Sequence, residues 1–177
     1  NGLKQGEWFR SFDFSDTWRS IQGRTCGILG YGSIGKNIAK ILKVFGCRII
    51  GFKKHIGNNP DDFEYADELS NNLPEVINKS EIVFVCLPLN TETKGLLTSS
   101  VLSSMGGKYI VNIARGEIIH EDALYTALKD GTLAGAALDV WYKYPGKNQN
   151  GPVFPSNKPI YELPNVVISP HKASNTE

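Results

Sequence analysis

Three observations predict an α/β fold built on a doubly wound parallel sheet. Strand-like apolar runs alternate with helical patterns, a G-x-G-x-x-G turn joins the first such pair, and one later run, Glu81 to Pro88, is too continuously apolar for a half-exposed strand. With 41% hydrophobic and 21% charged residues, the 177-residue chain has the composition to bury one well-formed core.

The first pair organises the rest. Arg24 to Leu29 reads as a strand that runs into Gly30-Tyr31-Gly32-Ser33-Ile34-Gly35. A helical pattern follows to Phe45, with Ile34, Ile38, Ile41, Leu42 and Phe45 as its expected buried stripe. Gly30 allows the sharp bend, Gly32 lets a pyrophosphate approach the backbone, and Gly35 lets the helix pack closely on the strand. The free N–H groups and positive dipole end of the helix starting near Ser33 suit phosphates. A Rossmann-type unit holding a dinucleotide is the expectation.

A net charge of +1, with no basic run interleaved with aromatics, argues against nucleic acid as a partner. No apolar stretch reaches the length of a membrane span and Asn1 to Trp8 has no signal-peptide core, so a cytoplasmic protein with no membrane partner is expected. Cys26, Cys47 and Cys86 lie in or beside apolar runs without C-x-x-C spacing, and read as buried small hydrophobes rather than metal ligands. The chain starts at Asn1 without methionine, which reads as a fragment.

Residues 1–22 form a predicted arm carrying Trp8, Phe9, Phe12, Phe14 and Trp18, which cover either a flank of the domain or a partner subunit. Residues 23–177 form the dinucleotide-binding domain. Its second strand, Cys47 to Phe52, ends at Lys53 and Lys54, about where an NAD-binding unit places an acid on the adenosine ribose. Two ammonium groups attract the extra phosphate that a carboxylate repels, so NADP(H) is preferred over a possible NAD(H). The alternative is a solvated lysine pair at a strand end.

Leu69, Leu73, Val76 and Ile77 read as one short helical face opened by Pro74. The apolar strand Glu81 to Pro88 then brings Leu87, Pro88 and Asn90-Thr91-Glu92-Thr93 to the coenzyme edge. Thr98 caps a helix through Met105. Strands at Lys108–Ala114, Ala134–Val140 and Val166–Ser169, with a helix Glu121–Lys129 and a long loop from Tyr142 to Pro164, complete the pattern.

Three polar residues fall at strand ends on the predicted coenzyme side. An imidazole can both give and take a proton near neutral pH, so His171 suits proton transfer to or from a substrate oxygen. Arg115 can make two parallel bonds to a carboxylate. Asp139 can accept from the nicotinamide carboxamide. Each has a structural alternative: Arg115 pairing with Glu117, His171 closing a turn after Pro170, or Asp139 satisfying backbone donors.

The glycine turn, Leu87 to Gly95, Val111 to Gly116, Ala137 to Val140 and Ser169 to Ala173 resemble, in order and spacing, the D-isomer-specific 2-hydroxyacid dehydrogenases. That group includes glycerate dehydrogenases and glyoxylate and hydroxypyruvate reductases. The resemblance implies hydride transfer between NAD(P)H and a small 2-keto or 2-hydroxy acid. It makes Arg115 the carboxylate-binding catalytic arginine, His171 the acid/base and Asp139 a nicotinamide contact. Gly30, Gly32, Ser33, Ile34, Gly35, Lys53, Lys54, Leu87, Pro88, Thr93, Ile113 and Ala114 make up the rest of the coenzyme site.

The family also implies a homodimer and a substrate domain that this chain does not contain, so the isolated domain is expected to bind coenzyme without turnover. Tyr144 stands where the family places a glutamate that keeps the catalytic histidine protonated. A phenol can accept from imidazole but does not raise its pKa as a carboxylate does. A non-catalytic dinucleotide-sensing dimer, akin to a corepressor, is the alternative.

Overall fold

The computed structural model describes residues 20–147, 149 and 151–173. Most of the predicted arm, including all five of its aromatic residues, lies outside them. Seven parallel strands form one sheet in the order β3-β2-β1-β4-β5-β6-β7: β1 Thr25–Leu29, β2 Arg48–Phe52, β3 Glu68–Ser70, β4 Ile82–Val85, β5 Tyr109–Asn112, β6 Gly135–Leu138 and β7 Val166–Ile168. The helices are α1 Ser33–Val44, α2 Leu73–Lys79, α3 Ser99–Ser103 and α4 Glu121–Lys129. The doubly wound expectation holds.

The order reverses between β1 and β4, where the connections leave in opposite directions and open a crevice beyond the strand ends. Two apolar clusters hold the layers. Leu29, Ile50, Val83, Val85, Ile110, Leu124, Leu128 and Leu138 belong to one, and Cys26, Ile28, Tyr31, Ala39, Leu42 and Ile49 to the other. Burial pushes the Cys26 and Cys86 thiols up to about 12, so they stay protonated, in keeping with a packing role.

Two expectations need correction. Leu69 belongs to β3, paired through Gly51↔Leu69, and not to the helical face that follows. Asn72 starts α2 by accepting from Glu75 N at 3.1 Å, and the helix buries Val76 and Ile77. The expected stripe of α1 is borne out only in part, at buried Leu42 and half-buried Ile38. Gly35, Ala39 and Leu42 pack inward, while Ile34 and Ile41 are each 61% exposed, Val44 83% and Phe45 49%. The helix therefore carries two apolar stripes, and the sheet covers one.

Candidate active site

The glycine turn is shaped as its spacing requires. Gly30 has φ +97°, and a Cβ there would lie 2.8 Å from the Cys86 backbone, so the residue meets both a conformational and a steric demand. A Cβ on Gly35 would lie 2.6 Å from the Gly30 carbonyl oxygen, whereas Gly32 faces open space. No side chain caps α1 and its first turn holds no acid, which leaves the leading N–H groups and the dipole for an anion.

A cavity of about 830 Å³ lies over this turn. Its lining brings together nine of the expected coenzyme residues: Gly30, Gly32, Ser33, Ile34, Lys53, Lys54, Leu87, Pro88 and Thr93. Thr93 Oγ1 donates to the Pro88 carbonyl and accepts from Asn90 N at 2.9 Å, folding residues 88–93 into the far wall. Gly35 lies beneath the turn. The glycines, the cavity and the uncapped helix end fit a dinucleotide. Each lysine has a carboxylate partner, Lys53 half-buried and Lys54 still open to solvent. Lys53 pairs with Asp62, and Lys54 Nζ lies 2.7 Å from both carboxylate oxygens of Glu92.

Arg115, Asp139, Tyr144 and His171 lie further along the same edge. Every strand is parallel, so the segments leaving β5, β6 and β7 emerge together. Asn112, at the end of β5 and 1% exposed, accepts from Ala114 N and donates to the Arg115 carbonyl, both at 3.0 Å, and so sets the turn that presents Arg115. Ala114 is buried beneath that turn and Ile113 is half-buried. The Arg115 side chain is exposed; Glu117, its suggested partner, pairs with Lys94 at 2.9 Å instead.

Gly116 then passes so close to the segment leaving β6 that a Cβ would lie 2.5 Å from the Trp141 carbonyl oxygen. Trp141 Nε1 donates to the Ser169 carbonyl at 2.9 Å. A continuous set of contacts thus links the Arg115 turn, the Trp141 segment and the loop carrying His171.

Asp139 dominates that loop. Its carboxylate accepts from Ser169 Oγ, from Lys172 N at 3.0 Å and from Ala173 N at 3.1 Å. These bonds bracket His171, whose φ of +58° is in the left-handed region. Burial pushes the Asp139 carboxyl up, but the bonds from Ser169, Ala173 and Lys172, with the nearby His171, outweigh it and hold the group below its ordinary value. The structural alternative for Asp139, satisfying backbone donors, is what the geometry displays. The Tyr144 ring packs against the imidazole at 5.4 Å between centroids, tilted by 47°. Its hydroxyl accepts from Trp141 N at 2.9 Å, so the phenol meets His171 through its ring.

Residues 1–173 match the family model described as D-isomer specific 2-hydroxyacid dehydrogenase, NAD binding domain. The chain belongs to this family. It is 33% identical over 178 residues to a D-3-phosphoglycerate dehydrogenase of Methanocaldococcus jannaschii, covering 99% of this chain and 31% of that protein. It is 33% identical over 180 residues to a glyoxylate reductase of Thermofilum pendens, covering 98% and 49%. Among solved structures, an acyclic imino acid reductase in complex with NADPH and D-Arg superposes with a TM-score of 0.81 at 30% identity, covering 99% of this chain and 51% of that one. The chain spans about a third to a half of the length of the curated relatives named.

Three residues that shape the site, Asn112, Trp141 and Asp62, are not singled out by the sequence, and Glu92 is named there only as part of the segment at the coenzyme edge. Asn112 lay within a motif whose arginine drew the attention, and a buried polar residue at a strand end is the signal that finds it. The pairing of Asp62 and of Glu92 gives no sequence signal, because their lysine partners lie 9 and 38 residues away.

Proposed function

We propose that this chain is the coenzyme-binding and proton-transferring part of an oxidoreductase that reduces small 2-keto acids, of the glyoxylate or hydroxypyruvate kind, to D-2-hydroxy acids. The observation that carries this reading is the contact of the Arg115 turn and the His171 loop through Trp141, on the strand-end edge that also holds the cavity over the glycine turn. The nicotinamide coenzyme supplies the hydride. Arg115 holds the substrate carboxylate with paired N–H groups and draws charge toward the carbonyl oxygen. His171 donates the proton that the oxygen takes up, and Asp139 fixes the loop from which it does so. With its carboxylate already accepting three bonds, Asp139 has one acceptor position left for the nicotinamide carboxamide.

NADP(H) is the preferred coenzyme in this reading and NAD(H) the weaker one, because no acid ends β2 and two lysines do. The exposed second stripe of α1 supports a homodimer formed through this domain. Among the described residues no helix is long and apolar enough to cross a membrane, and no group of three His, Cys, Asp or Glu residues could hold a metal ion. A cytoplasmic location fits a reaction that draws on the NAD(P)H pool. The names of the relatives favour an enzyme over a non-catalytic sensor.

The test is reduction of glyoxylate and hydroxypyruvate by the full-length protein with NADPH and with NADH. Turnover should fall by roughly 10² or more in Arg115→Lys and His171→Gln. Turnover with neither coenzyme would contradict the reading. Tyr144 favours a second substrate class, 2-imino acids, since an iminium nitrogen already carries its proton and needs no strongly held acid. Faster turnover of glyoxylate when methylamine is added would support that class.

A further inference from the structure

The end of β2 carries two cations, each with an anion beside it. Lys53 is matched by Asp62 and Lys54 by Glu92, so the four side chains sum to zero charge at the adenosine end of the crevice. The net charge of these four groups therefore supplies no attraction for a third phosphate. Attraction there comes from an exchange of partners, in which the phosphate takes a lysine that a carboxylate already holds.

The two pairs differ in how readily they exchange. Lys54 and Glu92 are 62% and 64% exposed, and a surface pair of this kind contributes little and opens easily. Lys53 and Asp62 are 30% and 21% exposed, and the second Asp62 oxygen accepts from Gly57 N at 3.2 Å. Asp62 also sits in the short 3-10 turn Pro60–Phe63, which Asn59 caps by accepting from Asp61 N at 3.0 Å. Its carboxylate is thus fixed to backbone from the side away from Lys53. Lys53 N in turn donates to the Ser70 carbonyl of β3. Asp62 therefore stays in place when another anion arrives, while Lys53 brings its ammonium to the site on a flexible stem.

We propose that Asp62 is a coenzyme-specificity determinant: its fixed carboxylate competes with the 2′-phosphate of NADP(H) for Lys53 and weakens the preference that the two lysines would otherwise create. The proposal rests on the crevice being an NAD(P)(H) site. With NAD(H), whose ribose presents a hydroxyl, Lys53 keeps its partner. With NADP(H), the phosphate must share Lys53 with a like charge that stays in place, while Lys54 is released from Glu92 at little cost.

The experiment is equilibrium titration of the protein with NADPH and with NADH, followed by tryptophan fluorescence, for the unmodified chain, Asp62→Asn and Glu92→Gln. Asp62→Asn should tighten NADPH about tenfold and leave NADH within about twofold. Glu92→Gln should tighten NADPH by no more than about threefold. Asp62→Ser, which also removes the charge, gives the same comparison if the Asn variant does not fold. Equal changes in both coenzymes, or a weaker NADPH complex in both Asp62 variants, would overturn the proposal. An NADH preference in the unmodified chain contradicts the preference proposed above, yet leaves this inference standing if Asp62→Asn still shifts the ratio. Binding of neither coenzyme by any form overturns both.

Discussion

Removing the Asp139 carboxylate tests how the His171 loop is held. The side chain is 6% exposed and accepts three hydrogen bonds, from Ser169 Oγ, Lys172 N and Ala173 N. A hydrogen bond to a charged group is worth about 1.5–3 kcal/mol net, but the donors lie in an accessible loop and can turn partly to water. A loss of about 3 kcal/mol for Asp139→Ala is the resulting expectation, below the combined value of three such bonds.

For a domain of this size that corresponds to a fall in Tm of roughly 6–12 °C. Hydrogen exchange reads the loop directly: the Lys172 and Ala173 amides should lose about a hundredfold of protection. Turnover of the full-length protein should drop by roughly 10² to 10⁴ through His171. Unchanged exchange at Lys172 and Ala173, with Tm within about 1 °C, would refute the assignment. Because the folded carboxyl titrates below its unfolded value, its contribution is complete above pH ~4 and is lost as pH falls through the lowered folded value. The acid limb of stability should therefore flatten in Asp139→Asn.

Other outcomes follow from the same geometry. Asn112→Ala leaves Ala114 N without its acceptor in a buried turn, and should cost about 2–3 kcal/mol by denaturant unfolding while lowering activity through Arg115. Gly116→Ala forces a methyl group to within 2.5 Å of the Trp141 carbonyl oxygen, and should reduce both stability and turnover; wild-type values for both would show that the close approach is not needed. Tyr144→Glu puts a carboxylate beside the imidazole, so the alkaline limb of reduction should move to higher pH, and an unchanged pH profile would count against the role given to the missing family glutamate. Ile41→Glu with Val44→Glu should convert a homodimer to a monomer in sedimentation, without loss of coenzyme binding.

Much of this fold is legible in the sequence because parallel strands covered on both faces read as continuous apolar runs, and because the glycine turn constrains its backbone so tightly. Gly30 and Gly35 each exclude a Cβ, and the spacing alone located them. The three-residue β3 escaped notice because Glu-Leu-Ser has too few residues to display a period, and Leu69 fits a helical stripe equally well. The expected α1 stripe holds at Leu42 and Ile38 but not at Ile34, Ile41 and Phe45, for a related reason. Periodicity reveals that a face is apolar, not what covers it, and Ile34, Ile41 and Phe45 satisfy a 3.6-residue period as well as Gly35, Ala39 and Leu42 do.

At the site, strand ends delivered Arg115, Asp139 and His171 to one edge, as topology requires. Side-chain pairing was beyond a one-dimensional reading. Nothing in the string tells that Asp139 is engaged by Ser169, Lys172 and Ala173, or that both lysines at the end of β2 already have carboxylate partners.

Coenzyme titration of Gly32→Asp tests the central claim most directly. A Cβ at Gly32 meets no atom within 4 Å, so the variant should fold with a Tm close to that of the unmodified chain. It places bulk and negative charge where the pyrophosphate would sit against the start of α1. The account predicts saturable NADPH binding by the unmodified chain and a loss of about a hundredfold or more in the variant, for NADPH and NADH alike. Equal affinity in the two proteins would contradict it.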